Sequence, residues 1–496
     1  MENSVYILNP DYIFRNDIQR ILVYTKSNTI TDCSRDWLSK IHPTQAMILS
    51  FFSQNRLLSE NIKLISEFLN LSYEKTKQLI FPFIENPTPL RNKIKERIIS
   101  FPKNIIIKKN NHIENISFSP SDMKCPSIDL ETKRLFSGPL HLTLMLTNKC
   151  VTRCKYCYAD INTKYNEALS TDKIFNIIHE AHALGLKAFH LIGGEVLLHK
   201  DWHRILKETV KLDMSSDVIS TKVPITKDII DKFKDAQFTE KIQLSLDSVS
   251  SDVLQEALCV NNSYLGKVIN GIQLLDDSGC RYKIASVITK YNDNPKAMLD
   301  LYSFIKTLKN IKRWSITPAI NTLYKSHHEF TKIKTDRIRL EKLYSYIEKE
   351  IIPNSDIGID LDRSCLDRAY YDSGKGSSSF KGAGCSALNS HLFILPDGEV
   401  TICEQLYWNP NFIIGNIKKN SLSEIWNSPK AMALAHMKKE NIQDKSKCHS
   451  CGQFQDCFDA RNRCWADIIK AYGDDKWDYP DPRCKKAPKM IYNLQF

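Results

Sequence analysis

Long apolar runs, a secretion signal and internal repeats are all missing from this chain. No apolar run approaches the roughly 20 residues that a transmembrane helix needs. The first residues, MENSVYILNPDY, lack a basic region followed by an apolar stretch, and no segment recurs at a fixed period. These absences predict that the protein is neither inserted in a membrane nor secreted, and we expect it in the cytoplasm.

Composition sets wide limits on what the protein can be. The chain has 496 residues, of which 42% are hydrophobic and 25% are charged, so it is long enough for about three domains with substantial cores. Its net charge of +12 permits nucleic acid or an acidic peptide as a partner and establishes neither. It also contains 15 cysteines. Because disulfides are rare in the cytoplasm, these cysteines favour metal or cluster binding.

Three cysteines stand close together in the stretch TNKCVTRCKYCYAD, at Cys150, Cys154 and Cys157. Three thiolates on one loop suit an iron–sulfur cluster and leave one iron without a protein ligand. A zinc site, which usually closes four positions with paired C-x-x-C or Cys/His arms, is the alternative. With Tyr156 before the last cysteine, the stretch resembles the signature of the radical S-adenosylmethionine (SAM) enzymes. The resemblance implies a [4Fe–4S] cluster whose open iron chelates SAM, and reductive cleavage of SAM to a 5′-deoxyadenosyl radical.

Strand and helix patterns alternate from about residue 138 to 330. The predicted strands are 140–146, 188–192, 216–220, 241–246, 283–288 and 313–317, and helical patterns such as 171–184 and 294–308 lie between them. Repeated βα units predict a parallel sheet, and about six units indicate an α/β fold built on a partial (β/α)6 barrel. In such barrels the chemistry lies on loops at the carboxyl ends of strands. The cysteine loop follows the first strand, as that rule requires.

Gly193, Gly194 and Glu195 directly follow the second predicted strand. Two glycines let a backbone approach a ligand closely, and a nearby carboxylate can accept a hydrogen bond from an ammonium group. By the resemblance, this segment binds the amino group of SAM, although Val196 stands where the family has proline. The alternative is an ordinary turn.

Polar residues also stand in the fourth strand, within IQLSLDS. Alternation directs Ser245 towards the barrel cavity, and the resemblance places Ser245 and Asp247 near the ribose of SAM. A plain barrel strand is an equal alternative. Ser220, Thr221 and Thr289, which follow other strands, are weaker candidates of the same kind.

A second group of cysteines follows residue 331. It resembles the SPASM extension of radical SAM enzymes, which binds two auxiliary iron–sulfur clusters, and we expect both to be [4Fe–4S]. The resemblance assigns one cluster to Cys385, Cys403 and Cys464, with Cys365 as a possible fourth ligand, and the other to Cys448, Cys451, Cys457 and Cys484. A zinc ribbon that uses only Cys448 and Cys451 is the alternative. The chain also departs from the family, because six residues instead of three separate Cys457 from Cys464.

Residues 1–90 are predicted to form a small winged helix-turn-helix unit. Pro43 opens a first helix after His42, and Ser59 and Ser72 are candidate caps of two more helices. A DNA-binding role is disfavoured because the third helix contains no arginine. The unit instead resembles the PqqD-like recognition element, in which a leader peptide adds a strand to a sheet edge. A purely structural cap remains the alternative.

Residues 91–137 read as a basic linker with a possible hairpin at 105–118 that turns at Asn110 and Asn111. The fold expected for the chain is therefore a peptide-recognition domain (1–90), a linker (91–137), a radical SAM barrel (138–330) and a SPASM domain (331–496). The Gly/Ser stretch at 373–384 reads as an exposed loop.

Together the three parts resemble a radical SAM/SPASM maturase of a ribosomally synthesised peptide. Such an enzyme uses the 5′-deoxyadenosyl radical to modify a precursor peptide, most often by a thioether, carbon–carbon or carbon–oxygen cross-link, and receives electrons from a donor such as flavodoxin or ferredoxin. The alternatives are peptide epimerisation, maturation of a folded protein as in sulfatase or quinohemoprotein maturases, and a metal-containing DNA-binding regulator. The sequence singles out no catalytic acid or hydrogen donor.

Overall fold

The computed structural model describes residues 2–26, 37–94, 97–110, 118–364, 366, 384–460 and 462–492. The chain divides into two compact units, one formed by residues 1–140 with 181–188 and the other by residues 141–180 with 189–496. Among the described residues, no helix has the length and apolar character needed to cross a membrane. The predicted loop at 373–383 and the position of Cys365 lie outside the described residues.

The first unit contains a three-stranded antiparallel sheet followed by three helices. Its strands, in the spatial order β2–β3–β4, are Tyr12–Asn16, Ile21–Thr25 and Leu38–Ile41. The helices are α1 (Pro43–Ser50), α2 (Leu58–Leu69) and α3 (Tyr73–Ile80). The order of three strands and three helices agrees with the winged helix-turn-helix prediction.

Of the two helix caps predicted from the sequence, the structure has the one at Ser72 and not the one at Ser59. His42 caps α1, with its ring accepting the N–H of Thr44, and the Ser72 hydroxyl accepts an N–H at the start of α3. The prediction for Ser59 is wrong, because α2 begins two residues earlier with Leu57 as its N-cap. The Glu60 carboxylate accepts the Leu57 N–H at 2.9 Å and so supplies the cap from inside the first turn.

The segment expected to be a linker, 91–137, instead packs into the first unit. It contributes the hairpin β5–β6 (Leu90–Ile94 and Arg97–Phe101) and strand β7 (Ile106–Lys108), which pairs antiparallel with β1 (Tyr6–Leu8). Apolar residues of this segment lie in the same core as the helices and sheet. The predicted hairpin at 105–118 is described only as far as Asn110, and its first strand is β7.

A buried ion pair fixes the end of this segment. Asp17 and Arg20 are fully buried and lie 2.8 Å apart. The Arg20 guanidinium donates to the carbonyls of Thr132 and Arg134 at 2.6 Å, and Asp17 accepts the N–H groups of Phe136 and Ser137 at 2.8 Å. Because both charges are hydrogen-bonded to this backbone, residues 132–137 are held in place rather than free to act as a spacer.

The predicted βα repeats belong to the second unit, except for residues 181–188, which are assigned to the first. The strands of these repeats are β8 (His141–Met145), β9 (Ala188–Ile192), β10 (Val218–Thr221), β11 (Lys241–Ser245), β12 (Tyr282–Ile288) and β13 (Arg313–Pro318). The helices that follow them are α4 (Thr171–Ala183), α5 (Trp202–Lys211), α6 (Lys227–Asp235), α7 (Ser251–Leu258), α8 (Ser263–Asp277), α9 (Pro295–Ile305), α10 (His327–Thr331) and α11 (Arg337–Tyr346). The predicted α/β fold class is confirmed.

Two strands beyond the six predicted ones extend the parallel arrangement. One sheet has the order β10–β11–β12–β13–β14, where β14 is Gly358–Leu361. The other has the order β17–β16–β15–β8–β9, with β15 (His391–Ile394) parallel to β8 and β16 (Glu399–Thr401) and β17 (Gly415–Asn416) antiparallel. The cysteine-rich region therefore begins inside the barrel sheet. Its helices are α12 (Leu422–Trp426), α13 (Pro429–Ala435), α14 (Phe454–Asp459) and α15 (Trp465–Tyr472).

Candidate functional site

The cysteine loop leaves the carboxyl end of β8 and is tied down by backbone hydrogen bonds. The N–H groups of Arg153 and Lys155 donate to carbonyls at the end of α7, each at 2.9 Å. Within the loop, the Thr152 hydroxyl lies 3.2 Å from the sulfur of Cys154 and 3.5 Å from that of Cys150. The loop thus presents its sulfurs from a fixed backbone.

Burial favours the protonated form of two loop thiols, Cys154 and Cys157. Burial raises the pKa of Cys157 to about 11, and the adjacent Cys154 acts in the same direction. Burial also raises the pKa of Cys154, against the opposing field of the Lys222 ammonium. Soft sulfur donors in this number and spacing fit an iron–sulfur cluster with one iron left open, and cluster binding must release their protons.

The two glycines after β9 pack against the backbone of the cysteine loop. A Cβ on Gly194 would lie 2.5 Å from the carbonyl oxygens of Asn148 and Lys149, and one on Gly193 would lie 2.9 Å from that of Thr147. The Gly194 N–H also donates to the Thr147 carbonyl at 2.7 Å. The close approach that these glycines permit is therefore to the chain that leads into Cys150.

Glu195, the third residue of this segment, is buried and already hydrogen-bonded. Its carboxylate accepts from the Thr221 hydroxyl at 2.9 Å, the Lys222 N–H at 2.8 Å and the Leu197 N–H at 3.2 Å. Burial raises the pKa of Glu195, and these three donors act to lower it. Glu195 thus joins the end of β9 to the end of β10, and a carboxylate with about four acceptor sites retains one for a ligand.

Lys222, which sequence analysis did not select, connects three of the predicted motifs. Its backbone N–H is held by Glu195, and its ammonium lies 3.1 Å from the Tyr156 hydroxyl and 3.7 Å from the Asp247 carboxylate. Tyr156 also donates directly to Asp247. Burial acts to lower the pKa of Lys222, but the Asp247 charge and the loop cysteines raise it. Lys222 is therefore a half-buried cation that connects the cysteine loop to the end of β11.

Asp247 and Ser245 occupy different settings at the end of β11. Asp247 is buried, and its carboxylate also accepts the Val287 N–H at 2.8 Å while its carbonyl accepts from the Asn292 amide at 2.8 Å. Ser245 is half-buried and does not share in these hydrogen bonds. Of the weaker candidates, Thr221 joins the network through Glu195 and Thr289 joins it through Asn292.

The described cysteines of the second group interact electrostatically within two sets, and their assignment as ligands of two clusters stays a prediction. Burial raises the pKa of Cys403 to about 12, and its electrostatic neighbours include Cys385. Burial also raises the pKa of Cys464, and the thiols of Cys403 and Cys385 act in the same direction. The other set is coupled among its own members: the pKa of Cys457, raised to about 12 chiefly by burial, is raised further by Cys484 and Cys448, and that of Cys484 by Cys451.

Cationic side chains approach the sulfurs of the second set. A guanidinium N–H of Arg463 donates to the sulfur of Cys448 at 3.0 Å, and the Lys486 ammonium lies 3.4 Å from that of Cys451. Arg463 is buried and also donates to the carbonyls of Asp478 and Tyr479 at 2.9 Å. Its neighbour in sequence, Cys464, interacts with Cys403 and Cys385 of the first set, so these two consecutive residues approach different cysteine sets.

In the described part of the chain, no three histidine, cysteine or acidic side chains converge closely enough to hold a single metal ion. The cysteines of each set are neighbours without meeting at one point. Their roles as cluster ligands therefore rest on donor chemistry and sequence pattern, and the role of Cys365 stays a prediction because that residue is not described.

Two domain families match the chain. Residues 144–305 match the Radical SAM superfamily, and residues 385–452 match the SPASM iron–sulfur cluster-binding domain. The chain is 23% identical over 329 residues to the antilisterial bacteriocin subtilosin biosynthesis protein AlbA of Bacillus subtilis, covering 65% of this chain and 68% of AlbA. It is 26% identical to a probable GTP 3′,8-cyclase of Sulfolobus acidocaldarius, covering 33% of this chain and 51% of the cyclase.

A solved structure shares the fold over almost the whole length. The crystal structure of Streptococcus suis SuiB bound to precursor peptide SuiA superposes with a TM-score of 0.63 at 18% identity, covering 97% of this chain and 100% of SuiB. The radical SAM domain binds SAM and a [4Fe–4S] cluster, and the SPASM domain binds iron–sulfur clusters. The chain is therefore a radical SAM enzyme of the SPASM class.

Proposed function

We propose that this enzyme modifies a ribosomally synthesised precursor peptide, with the leader of the peptide bound by the first unit and its core modified at the radical SAM domain. Support comes from the order of the three parts along the chain and from the similarity to AlbA, whose name is that of a bacteriocin biosynthesis protein. The SuiB structure, which resembles this chain in fold, contains a precursor peptide.

When bound, SAM and its cluster would supply a 5′-deoxyadenosyl radical, and two auxiliary clusters would accept the second electron removed from the peptide. Cys150, Cys154 and Cys157 would hold the first cluster, while Gly194 and Lys222 fix the loop that carries these cysteines. A cross-link removes two hydrogen atoms from the peptide, one as an atom and the other as a proton with an electron. A one-electron donor such as flavodoxin or ferredoxin completes the cycle. We infer a cytoplasmic location, because cysteines that bind iron–sulfur clusters suit a reducing compartment.

The observation that carries leader binding is the orientation of β4, the last strand of its sheet. The Thr25 N–H donates to the carbonyl of Trp37, directly before β4. Hydrogen-bonded and non-hydrogen-bonded pairs alternate in an antiparallel ladder. Leu38, paired with Tyr24, therefore directs its N–H away from β3. An added strand from a leader peptide would use this outward-facing edge.

A pair of variants at Leu38 tests the proposal. Leu38→Pro removes the outward N–H without removing a bond to β3, and Leu38→Ala removes the same half-exposed side chain but keeps the N–H. Each small peptide encoded beside the gene is co-expressed anaerobically with wild type or variant, and its intact mass is measured. We expect a loss of two hydrogens per site with wild type and Leu38→Ala, and at least a tenfold lower yield with Leu38→Pro.

Formation of 5′-deoxyadenosine without peptide shows whether each variant is folded and loaded. Equal peptide modification by Leu38→Pro and wild type would contradict leader docking at β4 and leave peptide modification intact. A peptide whose mass is unchanged after reaction in H2O, but which gains deuterium when the reaction is run in D2O, would indicate epimerisation instead of cross-linking. An unmodified set of peptides would favour a folded-protein substrate.

A further inference from the structure

A basic cavity lies at the amino-terminal ends of β11 to β14, at the opposite end of these strands from the cysteine loop. Its volume is about 770 Å³, within the range of small-molecule sites in proteins. Its charged lining consists of five cations and one carboxylate: Lys241, Arg281, Lys283, Lys312, Arg313 and Asp360.

Strand register brings four of these side chains, those of Lys241, Lys283, Arg313 and Asp360, to one face of the sheet. Lys283 on β12 stands beside Gln243 on β11, and Arg313 begins β13. The Arg313 guanidinium is paired with Asp360 of β14, with one nitrogen 2.8 Å from each carboxylate oxygen. The single carboxylate of the lining is therefore already neutralised by the one arginine that reaches it.

The other four cations have no such partner. Among the described residues, the side chains of Lys241, Arg281, Lys283 and Lys312 make no hydrogen bond or ion pair. Lys283 is half-buried, and its pKa is lowered first by burial and then by the charge of Lys241. The carboxylates of Asp217 and Asp360 act in the opposite direction without prevailing. Cations held together in this way are stabilised by an anion that enters between them.

The wall beside these cations is fixed rather than mobile. The buried Asp276 carboxylate accepts the N–H groups of Lys309 and Asn310 at 2.8 and 2.7 Å and the Tyr282 hydroxyl at 2.6 Å. The Asn310 amide also donates to the Asp276 carbonyl at 2.7 Å. The one aromatic side chain of the lining, Tyr282, is buried with its hydroxyl occupied, so it offers no face on which a base could stack.

We propose that this cavity binds the di- or triphosphate group of a small anionic ligand. Several lysines around one cavity suit phosphate oxygens, which accept hydrogen bonds from point-charge ammonium donors, and four unpaired cations call for a ligand with several negative charges. Without a stacking surface, the cavity recognises the phosphates alone. It is separate from the SAM site, because Lys283 precedes Val287, whose N–H holds Asp247, by four strand residues or about 13 Å.

Binding of inorganic triphosphate, ATP and adenosine to the full-length reconstituted enzyme tests the proposal by anaerobic calorimetry. We expect triphosphate and ATP to bind with affinities within about threefold of each other and adenosine not to bind. The double variant Lys241→Met/Lys283→Met should weaken triphosphate roughly tenfold or more. The control Lys227→Met/Lys296→Met removes two exposed lysines, each paired with an aspartate on its own helix, and should leave triphosphate affinity unchanged within twofold.

SAM affinity measured on the same samples shows that each variant is folded. Arg281→Gln, at an exposed position of the lining, serves as a second variant and should weaken triphosphate about threefold. The proposal is overturned by failure of the wild type to bind triphosphate, by equal weakening in the control double variant, or by binding of ATP but not triphosphate. The last result would mean recognition through the nucleoside.

Discussion

Replacing Gly194 by alanine tests how the glycine segment supports the cysteine loop. The new Cβ would lie 2.5 Å from the carbonyl oxygens of Asn148 and Lys149, whereas ordinary contact begins at 3.4 Å. The loop must therefore retreat by about 0.9 Å, the difference between these two distances. Both oxygens belong to the backbone, so no side-chain rotation can relieve the contact.

The free-energy cost of this contact can be estimated, and it should weaken cofactor binding. Overpacking of this kind costs about 1–3 kcal/mol. If the strain is relieved by moving the loop that carries Cys150, the same free energy appears as weaker cofactor binding, by roughly 5- to 150-fold. Gly266→Ala is the matched control, since its Cβ would meet nothing within 4 Å and its place inside α8 favours alanine by about 0.5–1 kcal/mol.

Iron content after anaerobic reconstitution, SAM affinity by calorimetry and chemical unfolding should be measured on wild type and both variants. We expect Gly194→Ala to lose SAM affinity within the stated range and Gly266→Ala to match wild type. Wild-type SAM affinity and iron content in Gly194→Ala would refute the reasoning, even if its stability fell, because the glycine would then serve packing alone.

Three further predictions follow from buried charges. Lys222→Met leaves Asp247 buried without a cation and should destabilise the protein by about 3–5 kcal/mol, whereas adding Asp247→Asn should recover most of that loss in chemical unfolding; no recovery would mean that the two residues do not act as a pair. Arg463→Met should lower the reduction potential of one auxiliary cluster by roughly 60 mV, equivalent to about 1.4 kcal/mol for one electron, whereas Arg463→Lys should retain most of it; equal potentials in redox titrations followed by electron paramagnetic resonance would contradict this role. Burial acts to raise the pKa of Asp276, but hydrogen bonds from Tyr282 and two backbone N–H groups lower it, so its ionised form stabilises the fold above the ordinary aspartate pKa near 4, and this contribution is lost as the pH falls through the lowered value. Asp276→Asn should therefore cost about 2–3 kcal/mol at pH 7 and much less at pH 3, and a difference that did not shrink in acid would count against this assignment.

Local sequence patterns were sufficient to predict the strands of the barrel. All six barrel strands lie within two residues of their predicted bounds, because apolar alternation and flanking turns are local signals. The cap at Ser72 was predictable for the same reason. The prediction at Ser59 failed because the helix begins earlier, where the Glu60 carboxylate accepts the N–H of the N-cap residue Leu57. A serine close to the start of a helical pattern was therefore mistaken for its cap.

Pairings between segments that are distant along the chain could not be predicted from the sequence. Strand β15 joins the barrel beside β8 although Leu392 and its partner Leu142 are 250 residues apart. Similarly, residues 91–137 have weak periodicity, and the burial of Arg20 and Asp17 against their backbone has no local signature. A charged pair in sequence reads as surface, because only the fold shows that its hydrogen-bond partners are buried with it.

In the candidate site, too, local motifs were predictable from the sequence and contacts between distant residues were not. Spacing predicted that Cys150, Cys154 and Cys157 share one loop, whereas the grouping of the later cysteines came only from the family resemblance. Lys222 was missed because a single lysine after a strand carries no motif, and only the fold brings it to Tyr156 and Asp247. Its position at the carboxyl end of β10 was the one available signal, since that is where barrel chemistry collects.

The most direct test of the account follows a hydrogen atom from peptide to cofactor. A deuterium-labelled precursor peptide is incubated anaerobically with SAM, reductant and either the wild-type enzyme or the Cys150→Ala/Cys154→Ala/Cys157→Ala variant, and the 5′-deoxyadenosine is analysed by mass spectrometry. The account predicts one deuterium in the 5′-deoxyadenosine made by wild type and no 5′-deoxyadenosine from the variant. Unlabelled 5′-deoxyadenosine beside a modified, fully labelled peptide would contradict it, because the radical would then not act on the peptide.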